Sequence, residues 1–253
     1  MFIQRHLLVI PLGFALLLAG CSSSIPELAA TATAVPTPVA TPISDAPSPS
    51  PSATVAINTA GQVATVLGDS IVPLDAPDGE PVTELTNPMR EGVPLVFYVV
   101  QQDGDWIEVQ LPIRPNGATG WVRASDVTLN SLTYALTASI DDRTVTLTKD
   151  GEEVRTFDVA IGTGDTPTPT GDFFITELLI PTNEGYGPYA FGLSAFSDVL
   201  NSFGGGPGQI GLHGTPDADS IGRAASHGCI RLYNEDITYL AEILPLGTPI
   251  TIA

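Results

Sequence analysis

Short apolar runs with a period of two, each cut off within a few residues by a turn dipeptide, fill the chain from residue 54 onward. A chain patterned this way has to pair strands; it cannot build a helical bundle. Only one stretch carries the period of an amphipathic helix. There Asn234 takes the N-cap position, Glu235 and Asp236 fill the first turn, and Ile237, Leu240, Ala241 and Leu244 line one face. The expected fold is mainly β with one or two short helices. The 253 residues are 43% hydrophobic and 15% charged, enough apolar matter for one or two packed domains. Lys and Arg total 9 against 28 Asp and Glu, a formal charge of -19. That sign is wrong for gripping nucleic acid or anionic lipid by counterion release, so no nucleic-acid partner is expected.

The N-terminus reads as an export signal: Arg5 supplies the positive flank, Leu7 to Leu18 the apolar stretch, and Ala19 and Gly20 precede Cys21. The stretch is interrupted by Pro11 and Gly13 and falls short of the ~20 residues a bilayer-spanning helix needs. Leu18-Ala19-Gly20-Cys21 resembles the lipobox of bacterial lipoproteins, which implies lipidation at Cys21 and a membrane anchor after removal of residues 1–20. Residues 22–53 are rich in Ala, Thr, Ser and Pro, and from Ile25 to Ala53 there are seven prolines and no aromatic residue. Such a segment cannot bury a core. As extended polyproline II at ~3.1 Å per residue it would reach roughly 90 Å and lift a folded head off the membrane.

Residues 54–129 alternate apolar runs at 62–67, 93–100, 106–111 and 120–127 with the turns Asp78-Gly79, Asp103-Gly104 and Asn116-Gly117. A small β-barrel or sandwich is expected. Gly104-Asp105-Trp106 and Thr119-Gly120-Trp121-Val122 resemble bacterial SH3-like domains, which implies peptidoglycan binding. Trp106 and Trp121 also suit plain core or rim positions on strands, so neither is assigned to a site.

Residues 130–253 form the second unit. A β-meander is expected over 134–140, 144–148 and 154–161, with Lys149-Asp150-Gly151 as a hairpin turn; Thr166 to Gly171 interrupts it and a strand follows over 172–178. The glycine- and aromatic-rich stretches 185–194 and 204–208 are expected to be loop. A final strand, 249–252, is expected to close the sheet.

The placement of imidazoles is the most informative feature of this unit. His6 lies in the export signal, and the other two histidines, His213 and His227, fall within sixteen residues of Cys229. Each is followed by glycine, which lets backbone approach a ligand closely. A thiol is largely protonated near neutrality and becomes a nucleophile when an imidazole takes its proton or positive potential lowers its pKa. His213 or His227 can do this for Cys229, and backbone N–H groups at Gly228 and Cys229 would suit an oxyanion if the turn there is tight. Arg223 and Arg231 flank the thiol, fit either to hold a carboxylate or to form structural ion pairs. Tyr186, Tyr189 and Phe191 would form a lid or simply pack. A zinc site with Asp217 or Asp219 as an extra ligand lacks the paired ligand spacing usual for that metal, and a buried inert cysteine is the remaining alternative.

The segment His213-Gly214-Thr215, with Ser226-His227-Gly228-Cys229-Ile230-Arg231-Leu232 beginning thirteen positions after that histidine, resembles the signature of L,D-transpeptidases with a YkuD-type catalytic domain. Lys149-Asp150-Gly151, Ile161-Gly162-Thr163-Gly164, Thr168-Pro169-Thr170-Gly171 and Gly247-Thr248-Pro249 extend the likeness over about half the chain. The resemblance implies a β-rich sandwich domain at 130–253, with Cys229 as nucleophile and His213 as general base. It further implies that the Gly214 carbonyl orients that ring and that Ser226, His227, Arg231 and Tyr189 bind substrate. Many relatives have asparagine where Arg231 stands. The implied reaction is acyl transfer from a peptidoglycan tetrapeptide stem through a thioester to an amine, without metal or cofactor. The implied location is extracytoplasmic, on a lipoprotein facing the cell wall. A sortase-like transpeptidase acting on proteins is the rival enzyme, although the Thr-Leu-x-Thr pattern is absent before Cys229. A non-catalytic wall-binding lipoprotein is the rival of another class.

Overall fold

Turn chemistry decides where the strands fold back on one another. In the computed structural model, which describes residues 61–253, the first sheet is antiparallel. It comprises β1 (Gln62–Val66), β4 (Val96–Asp103), β5 (Trp106–Gln110), β6 (Thr119–Arg123) and β7 (Val127–Ser131), in the order β6-β5-β4-β1-β7. β2 (Ser70–Ile71) and β3 (Leu85–Thr86) form a small separate pair. β4 and β5 pair Asp103 with Trp106, leaving a two-residue turn in which Gly104 adopts φ 57°. Phe97, Leu95, Ile107, Val109, Leu111 and Val122 form the core of this sheet. The run expected over 120–127 is broken by a 3-10 turn at Ala124–Asp126. The chain then resumes as β7 alongside β1, which takes this sheet to Ser131.

The second sheet has eight strands: β8 (Tyr134–Ser139), β9 (Thr144–Lys149), β10 (Glu152–Asp158), β12 (Gly171–Leu179), β13 (Ala190–Phe196), β14 (Gln209–Gly214), β16 (Ile230–Leu232) and β17 (Pro249–Ile252). Their order is β10-β9-β8-β17-β12-β13-β14-β16. β11 (Ile161–Gly162) and β15 (Ala224–Ser226) form a parallel pair outside this sheet. The β9–β10 turn has positive φ at both Asp150 (52°) and Gly151 (86°), the conformation that Asp-Gly favours in a two-residue hairpin. Leu136, Val145, Leu147, Phe157, Ile175, Phe191, Leu193 and Leu212 are buried together beneath the helix α1 (Asn234–Ile243), which inserts Ile237 and Leu240. Among the described residues this is the one α-helix, and no helix there is long and apolar enough to cross a membrane.

Three expectations change. The stretch 185–194 is not all loop, because Ala190–Phe196 is the interior strand β13 with Phe191 and Leu193 fully buried. Gly192 disguised it: a Cβ there would sit 2.5 Å from Glu177 Oε1, so the glycine serves close packing inside a strand. β17 does not close the sheet at an edge; it lies between β8, to which it is parallel, and β12. Asn234 is the first helical residue, with Tyr233 at the N-cap position and no side-chain cap. The Arg155–Asp236 ion pair ties that helix start to β10, and the guanidinium also covers Phe157 and Tyr239.

The two sheets meet over a shared apolar cluster of Val63, Val96, Leu132 and Phe174. Gln110 donates across the seam to the Asp172 carbonyl. The export signal, the lipobox with Cys21 and the stalk of the sequence reading lie outside the described residues.

Candidate active site

Period-two alternation on two neighbouring strands builds the site. β14 and β16 run parallel, pairing Leu212 with Ile230, His213 with Arg231 and Gly214 with Leu232. Ile210, Leu212, Ile230 and Leu232 are buried in the apolar core. The intervening positions, Gly211 and His213 on β14 and Arg231 on β16, therefore face the other way, with Cys229 two residues before Arg231. Cys229 lies just before β16. It leaves a tight turn in which Gly228 adopts φ 114°, a conformation few residues other than glycine tolerate. Ser226 Oγ donates to the Cys229 carbonyl and accepts from Gly228 N–H at 3.1 Å. The threonine-proline turn buttresses this corner: Thr163 N–H donates to Ser226 O at 3.0 Å, and Thr168 Oγ1 accepts from Gly162 N–H at 2.9 Å.

Thiol and imidazole converge over Gly211. Gly211 N–H donates to Cys229 Sγ at 3.3 Å. A methyl placed on Gly211 would lie 3.8 Å from Cys229 Sγ and 3.8 Å from His213 Cδ2, so both groups border the same spot beside Gly211. Cδ2 is bonded to Nε2, so this edge of the ring is the one carrying that nitrogen. The other nitrogen, Nδ1, lies 2.6 Å from Gly214 O. A carbonyl can only accept, so Nδ1 carries the proton and Nε2 keeps its lone pair.

The electrostatics fit a neutral pair. Burial pushes the His213 imidazole down to about 4; the Gly214 carbonyl opposes this and the Arg231 charge adds to it. Burial likewise pushes the Cys229 thiol up, while Gly211 N–H and Arg231 pull it back. At neutral pH the resting state is thus a thiol beside a neutral imidazole. Attack on an electrophile would require the proton to move at that moment.

The remaining site expectations fall out unevenly. The Ser226 hydroxyl is buried and spent inside the turn, so it shapes the Cys229 corner and does not face a ligand. Gly228 N–H is likewise engaged by Ser226, which leaves Cys229 N–H as the member of that pair with no side-chain acceptor among the described residues. Tyr189 packs on the core and acts through its carbonyl, which accepts from Gly214 N–H at 3.2 Å. Phe191 is core, not lid. Tyr186 is the ring that covers His213, at 4.6 Å between centroids. Burial, chiefly, raises its phenol pKa. His227 is exposed and stacks on Phe203 at 5.1 Å. Arg231 is half-buried, and its Nε has no partner among the described residues. The Gly211 contact was missed by sequence reasoning, although its position two residues before His213 on a strand was the signal available. Among the described residues no three His, Cys, Asp or Glu side chains come close enough together to hold a metal ion.

Known proteins resemble the chain chiefly over its second unit. Residues 133–252 match the YkuD family, the L,D-transpeptidase catalytic domain. A Bacillus subtilis (strain 168) protein named as an L,D-transpeptidase, YkuD, is 35% identical over 122 residues, which make up 48% of this chain and 67% of that one. The structure of Bdellovibrio bacteriovorus Bd1075 is 28% identical and has a TM-score of 0.38; the match covers 48% of this chain and 47%, about half, of that one. An L,D-transpeptidase from Mycobacterium tuberculosis H37Rv aligns over 78% of this chain and 96% of its own, at 20% identity and a TM-score of 0.41. With a catalytic-domain match over 133–252 and a relative aligned over two thirds of its own length, this chain belongs to the YkuD family of L,D-transpeptidases.

Proposed function

We propose that the chain is a cysteine-dependent L,D-transpeptidase that transfers a peptidoglycan stem peptide to an amine. The observation that carries this is the convergence of Cys229 Sγ and the Nε2 edge of His213 over Gly211, with Nδ1 committed to Gly214 O. In the first half-reaction His213 Nε2 accepts the thiol proton as sulfur attacks the carbonyl carbon of the third residue of a tetrapeptide stem. Cys229 N–H stabilises the oxyanion. The carbon–nitrogen bond to the terminal D-alanine then breaks, and the imidazolium returns the proton to the departing amine, leaving a thioester. In the second half-reaction an acceptor amine gives its proton to His213, attacks the thioester and releases the thiol. Water in place of the amine would give carboxypeptidase activity. No step in this sequence calls for a metal or a cofactor.

Arg231, beside the thiol and with no ion-pair partner for its guanidinium among the described residues, suits a substrate carboxylate. The first sheet serves as an SH3-like wall-binding module. Lipidation at Cys21 anchors the chain on the outer side of the membrane, with the stalk carrying the head toward the wall.

The test is muropeptide mass analysis after incubation with wild type and with Cys229→Ala. The expected result is loss of 3→3 cross-linked products with the variant while binding to isolated sacculi persists. Equal products from both proteins, or none from wild type, would leave a wall-binding lipoprotein as the reading.

A further inference from the structure

A loop over residues 197–208, between β13 and β14, forms the outer wall of the site. Its tip is tight: Phe203 N–H donates to Gly206 O at 3.1 Å and Gly206 N–H to Phe203 O at 2.9 Å. Gly204 and Gly205 between them take φ values of 57° and 85°. This tip reaches both flanks of the thiol–imidazole pair. On one side the Phe203 ring stacks on His227, two residues before Cys229, with centroids 5.1 Å apart and planes at 28°. On the other, a methyl on Gly204 would lie 3.8 Å from the hydroxyl of Tyr186, the ring that covers His213.

The base of the loop is held from the first sheet. Arg114, between β5 and β6, donates through Nη1 to Ser197 O at 2.8 Å and through Nη2 to Leu200 O at 3.0 Å and Pro207 O at 3.1 Å. Its guanidinium centre also lies 5.1 Å from the Phe196 ring centroid. Asn116 grips the residue just before the loop with both ends of its amide: Nδ2 donates to Phe196 O and Oδ1 accepts from Phe196 N–H, each at 2.8 Å. Both stems of the loop are therefore tied to one short segment of the other sheet. A glycine-rich loop whose Val199 and Phe203 stay exposed buries little apolar surface and opens locally at small cost, so external hydrogen bonds decide how firmly its tip stays over the thiol. Those from a guanidinium are charge-assisted and geometrically fixed.

We propose that Arg114 and Asn116 are positioning residues through which the first sheet fixes the 197–208 loop over Cys229 and shapes the site that admits the donor peptide. The consequence for turnover rests on the transpeptidase reading above; the consequence for thiol access does not.

The full chain and its variants are treated with iodoacetamide, and the alkylation rate is read at the Cys229 peptide by mass spectrometry. Arg114→Ala, Asn116→Ala and Phe203→Ala are each expected to raise the rate about tenfold. The Arg114→Ala/Phe203→Ala pair should react no faster than the faster single variant, because both changes remove the same cover. With a tetrapeptide donor, Arg114→Ala is expected to raise KM more than it lowers kcat, and Arg114→Lys to recover part of that KM. Wild-type alkylation rates in the single variants, or rate effects that multiply in the pair, overturn the proposal. Should Arg114→Ala fail to fold, Asn116→Ala and Phe203→Ala decide the matter, since Phe203 is 43% exposed and its truncation spares the core. A wild type that alkylates slowly but never turns over the donor sinks the enzymatic reading and leaves the loop assignment standing.

Discussion

His213 concentrates the chemistry at the scale of single residues. Its imidazole is neutral in the fold because burial lowers its pKa to about 4, from 6.5. The sign of the linkage follows: a group depressed in the folded state binds fewer protons there than in the unfolded chain. Its contribution to stability is fully present above pH 6.5 and is lost as pH falls toward 4. The size over that window is roughly 3 kcal/mol. His213→Gln should flatten the pH dependence of unfolding free energy over the same interval, measured by urea titration at several pH values. An unchanged slope would mean that the ring is not buried neutral. The same low pKa keeps the base unprotonated in mildly acidic surroundings. Gly211 acts by lacking a side chain, since a Cβ there would press on Phe191 O at 3.3 Å and touch both the thiol and the imidazole at 3.8 Å.

At the scale of elements, the turn that launches β16 matters more than the strand itself. Ser226 Oγ holds both Gly228 N–H and Cys229 O while buried, so Ser226→Ala leaves two polar groups with fewer partners in a closely packed corner. The expected cost is about 1–3 kcal/mol in urea denaturation. Turnover should fall through a lower kcat with KM little changed, because the displaced atom is the sulfur and not a substrate contact. A raised KM at wild-type kcat would instead place the hydroxyl against the ligand. The Thr-Pro-Thr turn belongs to the same mechanism. A side chain on Gly228 would meet Ile210 Cδ1 at 3.0 Å and Pro167 O at 3.3 Å, so strand, turn and corner are packed without slack.

At the scale of the whole molecule, the two sheets share one seam. Phe174 is fully buried there among Val63, Val96 and Leu132, and Gln110 bonds across it. The described residues, 61–253, accordingly cluster as a single compact unit. Phe174→Ala should cost about 3–5 kcal/mol and should lower the unfolding midpoint of both sheets together. Two probes separate them: Trp106 and Trp121 report on the first sheet by fluorescence, and Cys229 alkylation reports on the second. Probes that shift by different amounts would show that the sheets unfold independently.

Local patterning was enough to identify the hairpins, the one helix face and the cysteine–histidine neighbourhood, because turns such as Asp150-Gly151 and the period of α1 are written in adjacent residues. Three features escaped it. Strand β13 was hidden by Gly192, whose meaning depends on Glu177 and Gln209 arriving from other strands. The choice between Tyr186 and Tyr189 depends on which ring the 3-10 turn at Glu184–Tyr186 brings over His213. The grip of Arg114 on the 197–208 loop joins residues more than eighty positions apart. Periodicity dictates which way a side chain points along its own strand, but which partner it meets there is decided when distant segments are brought together by burial of a common core.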